Sequence, residues 1–381
     1  MASGLLVVSD LHLPVGPTTH LDSDFRAAIA EHPERELVLA GDTFDLSGLP
    51  HNADGLEALS PLLGAHPVVR LELLHRLERG APVTVIPGNH DSALLHPDAR
   101  EALTAALGVG TEAPLRLAPW FHRWGDVHLE HGHLYDPDNA PNHPLVPWSD
   151  ATEPLGVALT RRYLVPRRAH GWVHRHETTP LRGLLDAMRQ FGPRAPGFVG
   201  AYFWVALGLC VDSLRSSQHA AQRDQGRREL ARLVQRVGLT QEALERLLSE
   251  APRPTHQRLG RTFRRLYLDR AGSTAALLAA GTGQLLGTPG SSQLAMAAAV
   301  ALAVSLYGGV NRYGGRIETK LAEGAAMVRA LTDARLVVFG HSHRAESAPG
   351  YVNCGSFAFP GLERRSVLLI DSAEEWTRFG I

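Results

Sequence analysis

Five short apolar runs in this chain each stop on a polar motif, and that repetition is what most constrains its fold. Run 5–9 stops at Asp10-Leu11-His12, and run 36–40 at Gly41-Asp42-Thr43-Phe44-Asp45. Run 82–86 leads to Gly88-Asn89-His90-Asp91, and run 127–130 to His131-Gly132-His133. Run 335–339 leads to Gly340-His341-Ser342-His343. Continuous apolar runs of this length, bounded by Gly and Pro, suit strands buried on both faces. Runs 351–354 and 366–370 read as later strands, and 56–79 and 97–107 have helical spacing and length. The alternation predicts an α/β fold in which the C-terminal strand ends share one edge, where such sheets gather their functional side chains. Each glycine that stands beside a candidate ligand is expected to let the backbone turn sharply off its strand.

The pattern is interrupted between 144 and 331, so the chain divides into 1–143, a long insert over 144–331, and 332–381. Thr240 can cap a helix over 241–249, and 230–237 and 258–269 also read as helices. Segments 195–211 and 271–311 carry no charged residue. The second is broken at Thr288-Pro289-Gly290-Ser291-Ser292 into two limbs, like a helical hairpin. Each limb is near or below the ~17–25 apolar residues that a bilayer crossing requires. A buried helical bundle is therefore the first expectation for these segments, a surface dipping into a membrane the second, and a true crossing the third. Tyr202, Phe203 and Trp204 are expected to pack inside.

The formal net charge of −1 conceals an asymmetry. Residues 161–272 hold 21 arginines against nine carboxylates, and the rest of the chain is acidic. An acidic body suits cations, and a basic insert suits an anionic partner. Cys210 and Cys354 form no CxxC pattern and read as reduced thiols. Gly4 to Val8 is too short for a secretory leader and runs straight into Asp10, so a cytoplasmic protein is expected.

The motif residues are Asp, Asn and His, the oxygen and nitrogen donors that divalent ions accept without thiolate. Asp42, at a strand end, is the best candidate to bridge two ions. Asp10 and His12 alternate along an extended segment and are expected to grip one ion together, and His341 and His343 follow the same logic. Burying so many such groups at one edge without cations would be costly.

In order and spacing the motifs resemble the calcineurin-like metallophosphoesterase family, whose pattern is DxH, GDxx[DE], GNH[DE], a GH-type histidine and GHxH. The matching segments are 1–143 and 332–360. The resemblance implies a two-sheet α/β sandwich flanked by helices, with the large mostly helical insert added to it. It implies two divalent metal ions, Mn first with Fe or Zn as alternatives. Asp10, His12 and His343 would hold one ion, Asn89, His131 and His341 the other, and Asp42 both. His90 would stabilise the transition state or protonate the leaving oxygen, with Asp91 orienting its ring. A metal-bridging hydroxide would then hydrolyse a phosphoester or diphosphate bond. Asp45 is expected to support the site, and the role of His133 stays open.

Ser9-Asp10-Leu11-His12-Leu13 and Gly41-Asp42-Thr43-Phe44-Asp45 most resemble the UDP-2,3-diacylglucosamine diphosphatases, which carry a helical insert at the same place. Many of those enzymes have Arg after Gly-Asn, where this chain has His90. The resemblance implies a phosphorylated, lipid-linked substrate and peripheral contact with the inner face of the membrane through the insert. The alternatives are a soluble phosphatase or phosphodiesterase acting on nucleotides or phosphoproteins, with the insert as a lid, and a binding scaffold of the same fold. Nucleic acid is the weakest partner class, because long uncharged stretches suit a strand-binding groove poorly.

Overall fold

In the computed structural model, the described residues are 4–14, 20–50, 53–167, 192, 195–266, 268–307, 316–359 and 364–381. Two mixed sheets form the centre. The first has β1 (Leu5–Val8), β2 (Glu36–Ala40), β3 (Val83–Ile86) and β4 (Leu115–Leu117) in parallel. It is extended past β1 by the antiparallel strands β10 (Ser366–Ile370) and β11 (Trp376–Gly380). The second runs β5 (Phe121–Trp124), β6 (Val127–Glu130), β7 (Leu336–Phe339), β9 (Tyr351–Cys354) and β8 (Ala345–Ala348), with β6, β7 and β9 parallel.

Strand alternation sorts the side chains into layers. Leu5, Val7, Val38, Ala40 and Ile86 meet Val127, Leu129, Val338 and Val352 between the sheets. Leu6, Val8, Leu37, Leu39, Val83 and Val85 point the other way. They pack on α1 (Leu21–Ala30), α2 (Leu59–Ala65), α3 (Pro67–Glu78) and α4 (Ala99–Leu107), through residues such as Phe25, Leu62, Leu73 and Leu103. Beyond the second sheet, Phe121, Val337 and Phe339 lie against the insert and the helix that closes it. The central strands are thus covered on both faces, which is why most of their residues are apolar; the polar ones, such as His128 and Glu130 on β6, are buried and paired with one another.

All seven expected strands form within a residue of their expected bounds. The expected helix over 56–79 is two helices, divided at His66-Pro67, because the proline ring disfavours helical backbone at the preceding residue. β4, β5, β8 and β11 were not foreseen. β4, β5, β8 and β11 lie at sheet edges and are partly exposed, so they need no apolar run.

In the insert come α5 (Leu155–Leu159), α6 (Ala195–Asp212), α7 (Ser216–Val237) and α8 (Gln241–Glu250). Then follow α9 (Leu259–Leu266), α10 (Leu268–Leu285) and α11 (Ser291–Tyr307), before α12 (Ile317–Leu331) returns the chain to β7. Thr240 Oγ1 accepts from the Ala243 amide and caps α8 as expected. Leu230, Leu233, Leu244 and Leu247 fix α7 and α8 to Leu321, Ala325 and Val328 of α12. The expected helical hairpin is α10 and α11, packed on one another.

The hairpin departs from the first expectation, a buried bundle, because most of its large side chains are exposed. On α6, Ala206, Leu209 and Cys210 are buried against Leu155, Ala158 and Leu266. Of the aromatic cluster, Tyr202 packs against this core as expected, whereas Phe203 and Trp204 are 42% and 78% exposed, which corrects the expectation for those two. No described helix is long and apolar enough to cross a membrane.

Candidate metal centre

The loops that leave β1, β2, β3, β6 and β7 converge at the C-terminal ends of these strands. Backbone bonds join the first two loops: the amide of Asp10 donates to Gly41 O, and that of His12 to Asp42 O. The amide of Gly340 donates to His131 O and ties β7 to β6. The amides of Phe357 and Ala358 donate to Ser9 O and Asp10 O, crossing from the second sheet to the first.

Asp10, His12, Asp42, His341 and His343 have φ of 56°, 42°, 47°, 67° and 59°. That left-handed backbone is uncommon outside glycine, and a cluster of it at one place marks a functional site. It also corrects the expected geometry. Asp10 and His12 share a group although their backbone is left-handed rather than extended, whereas His341 and His343 divide between two groups. Gly41, at φ 93°, does turn sharply, and a Cβ there would lie 2.2 Å from the His131 ring. Gly88 has another reason: a Cβ would sit 2.1 Å from Asp42 Oδ1.

Three groups of side chains could hold a cation, each with its ligand atoms within 4.8 Å of one another: Asp10, His12 and His343; His12, Asp42 and His90; Asp42, His131 and His341. In the first, His12 Nε2 and His343 Nε2 are 3.2 Å apart. Both face Asp10 Oδ1, at 3.8 and 3.2 Å. That oxygen is buried and makes no well-formed hydrogen bond among the described residues. Two imidazole nitrogens and a carboxylate oxygen aimed at one point fit a divalent ion.

Asp42 belongs to two of the groups. Its Oδ2 lies 3.1 Å from His131 Nε2 and 3.8 Å from His12 Nε2, while its Oδ1 accepts the His90 amide at 2.8 Å. Asn89 Oδ1 stands 3.2 Å from His131 Nε2. Burial works against the charge on Asp42, but the imidazoles of His131 and His90 hold its carboxyl well below the usual range. Burial likewise opposes charge on Asp10, yet His12 and His343 keep it low. All seven expected ligands are thus gathered at one place.

His90 is also here, its ring 4.9 Å from that of His12. Its Nδ1 meets Ser47 Oγ and, at 3.3 Å, Asp45 Oδ1. Burial would lower its pKa, but the Asp42 and Asp45 carboxylates push it up to about 9. Asp91 does not touch the ring. Its Oδ1 accepts from the Gly88 amide, and its Oδ2 from the Thr43 and Phe44 amides. The expected orienting role therefore passes from Asp91 to Asp45 and Ser47, and Asp91 instead fastens the Asn89 loop to the Asp42 loop. The distance from sequence neighbour to ring explains the error: a residue adjacent to a histidine is not thereby within reach of its nitrogen.

Three further partners escaped the sequence reading. Asp136 Oδ2 lies 3.2 Å from His341 Nε2, and Trp148 Nε1 donates to Asn89 O at 3.0 Å. Asn353 Nδ2 donates to Gly340 O at 2.6 Å. None of them stands in a recurring motif, although Asp136 follows His131-Gly132-His133 closely enough to invite attention. His133 is within reach, its ring 5.3 Å from that of His131, and burial and the neighbouring imidazoles of His131 and His341 depress its pKa.

A two-sheet sandwich with clustered Asp and His at its parallel strand ends is the architecture expected of a metal-dependent phosphoesterase. Residues 4–192 match the family model described as calcineurin-like phosphoesterase, and the chain carries that domain. No curated protein and no solved structure gives a significant match to the chain. The matched segment ends before His341 and His343, which the fold returns to the site through β7.

Proposed function

We propose that this protein hydrolyses a phosphoester or diphosphate bond at a centre of two divalent cations, and that its substrate is lipid-linked. The observation that carries the reading is the position of Asp42, which groups with His131 and His341 on one side and, on the other, with His12, itself a member of the group of Asp10 and His343. One carboxylate serving two groups is what a pair of ions a few Å apart requires. When bound, such ions would activate a water and offset charge on the phosphoryl oxygens. The oxygen and nitrogen donors suit Mn, Fe or Zn.

The chain's own residues supply the rest. Asp10, His12 and His343 would hold one cation, Asn89, His131 and His341 the second, and Asp42 both. His90, protonated and oriented through Nδ1 by Asp45 and Ser47, would give its Nε2 proton to the leaving oxygen. The arginine-rich insert supports an anionic headgroup, and the exposed Phe203, Trp204 and Phe263 support an acyl-bearing substrate resembling a UDP-diacylglucosamine.

The test is a substrate panel with Mn²⁺, with and without detergent, run on the native protein and Asp42→Ala. Metal-dependent turnover that Asp42→Ala abolishes is expected, with the lipid-linked diphosphate preferred. Equal turnover by the two proteins would overturn the metal reading. Preference for nucleotides, unaffected by detergent, would replace the lipid-linked substrate with a soluble one.

A further inference from the structure

The hairpin of α10 and α11 is built inside out. Its buried positions are small residues seven apart: Ser273 and Ala280 on one helix, Ser291, Ala298 and Ser305 on the other. The large apolar side chains are exposed instead. Leu285 is 90% exposed, Leu286 77%, Leu278 70% and Met296 68%. A helix pair in water hides its large residues and exposes polar ones. Small residues at the contact with large ones outside is the arrangement of helices packed in lipid.

The choice of occupant follows from how the apolar surface is distributed. On α11, Met296, Val300 and Val304 share the side opposite the buried seam, Leu294 is exposed beside that seam, and no charged residue occurs from 271 to 311. A protein partner, including a second copy of this chain, would cover one face and leave the others in water. A hydrocarbon phase covers every face at once. The charge pattern agrees. Residues 258–270 hold five arginines against Asp269, and Arg312 and Arg316 follow the hairpin, so both limbs leave the uncharged segment on arginine. Arg258 and Arg264 are exposed, beside the exposed Leu259 and Phe263. Arginine at the base and leucine at the tip complement an anionic headgroup layer above acyl chains.

We propose that the α10–α11 hairpin is a membrane anchor, entering one leaflet of an anionic bilayer tip first while its arginine-flanked base rests at the headgroups. At ~1.5 Å per residue, the limbs of 18 and 17 residues are about 26 Å long. This surface is separate from the metal centre, and its test reads binding rather than turnover, so it can fail without the hydrolytic reading failing.

The full-length protein is floated on a density gradient with phosphatidylcholine vesicles, with or without phosphatidylglycerol. Flotation with the anionic vesicles is expected. The double substitution Leu285→Glu, Leu286→Glu should reduce the bound fraction at least about tenfold, since two exposed leucines lose their apolar transfer. Met296→Glu on the other limb should reduce it in the same direction. Thermal unfolding of both variants should match the native protein, because no buried contact is removed. Native protein that stays at the bottom of both gradients, or variants that float as well as it does, would overturn the proposal. So would a native dimer that fails to float and that these substitutions turn into a monomer, since the covering surface is then a second copy.

Discussion

At the residue scale, the site depends on carboxylates that carry more than one duty. Asp42 belongs to two of the three candidate cation groups and also accepts the His90 amide. Asp42→Ala should therefore remove metal, read by elemental analysis after dialysis, and lower turnover by about three orders of magnitude. His90→Ala makes the contrasting case: its ring is held by Ser47 and Asp45, and metal content should survive. The rate should fall about 10²–10⁴-fold, most for esters with poor leaving groups. An equal fall for every leaving group would argue against proton donation. Asp136 acts through the His341 ring, so Asp136→Ala should weaken metal affinity about 10–100-fold in a metal titration with the fold intact.

At the element scale, the insert is joined to the body through a polar seam that sequence spacing did not disclose. His256 Nε2 donates to Asn142 Oδ1 at 3.0 Å, and Asn142 Nδ2 donates to His219 Nδ1 at 3.1 Å. α7 passes so close that a Cβ on Gly226 would lie 2.0 Å from the His143 ring. Burial depresses all three histidines, His256 to about 3 and His143 to about 4. A histidine lowered in the folded state takes up its proton more readily when unfolded. Its contribution is complete above about pH 6.5 and is lost as pH falls through the folded value. Burial raises the Asp91 carboxyl to about 7, which works the other way in this window, so the histidine contribution is read as a difference: His256→Gln should make the thermal midpoint of the metal-free protein fall less between pH 6.5 and 4 than that of the native protein. His90 and His131 do not counter this. Both are raised, to about 9, so their contribution is complete below pH 6.5 and declines only above it. An identical pH dependence of the midpoint in the native protein and His256→Gln would show that His256 contributes nothing to it.

At the scale of the whole molecule, the space between the sheets is what holds the ligands in register. Asp10, Asp42 and Asn89 follow strands of one sheet, and His131, His341 and His343 follow strands of the other. Leu129→Ala, at a fully buried position between them, should cost about 3 kcal/mol in denaturant unfolding. It should weaken metal affinity as well, although residue 129 touches no ligand; unchanged affinity would show that the two loop sets hold their geometry without the sheet contact.

The central strands were legible because strands covered on both faces are mostly apolar, and the gathering of the seven candidate donors was legible because polar groups at neighbouring strand ends share one edge. The edge strands were not, since a half-exposed strand such as Ala345–Ala348 needs no apolar pattern. Nor was the partner of the His90 ring, since contact across a fold leaves no mark in local spacing. Sequence alone therefore determined the central strands of the body and the inventory of donor atoms, both properties of short segments. Only the tertiary structure decided which donors lie within reach of one another, which carboxylate meets the His90 ring, and that the hairpin turns its leucines outward. Each of those depends on distances between segments far apart in the chain, which no local pattern encodes.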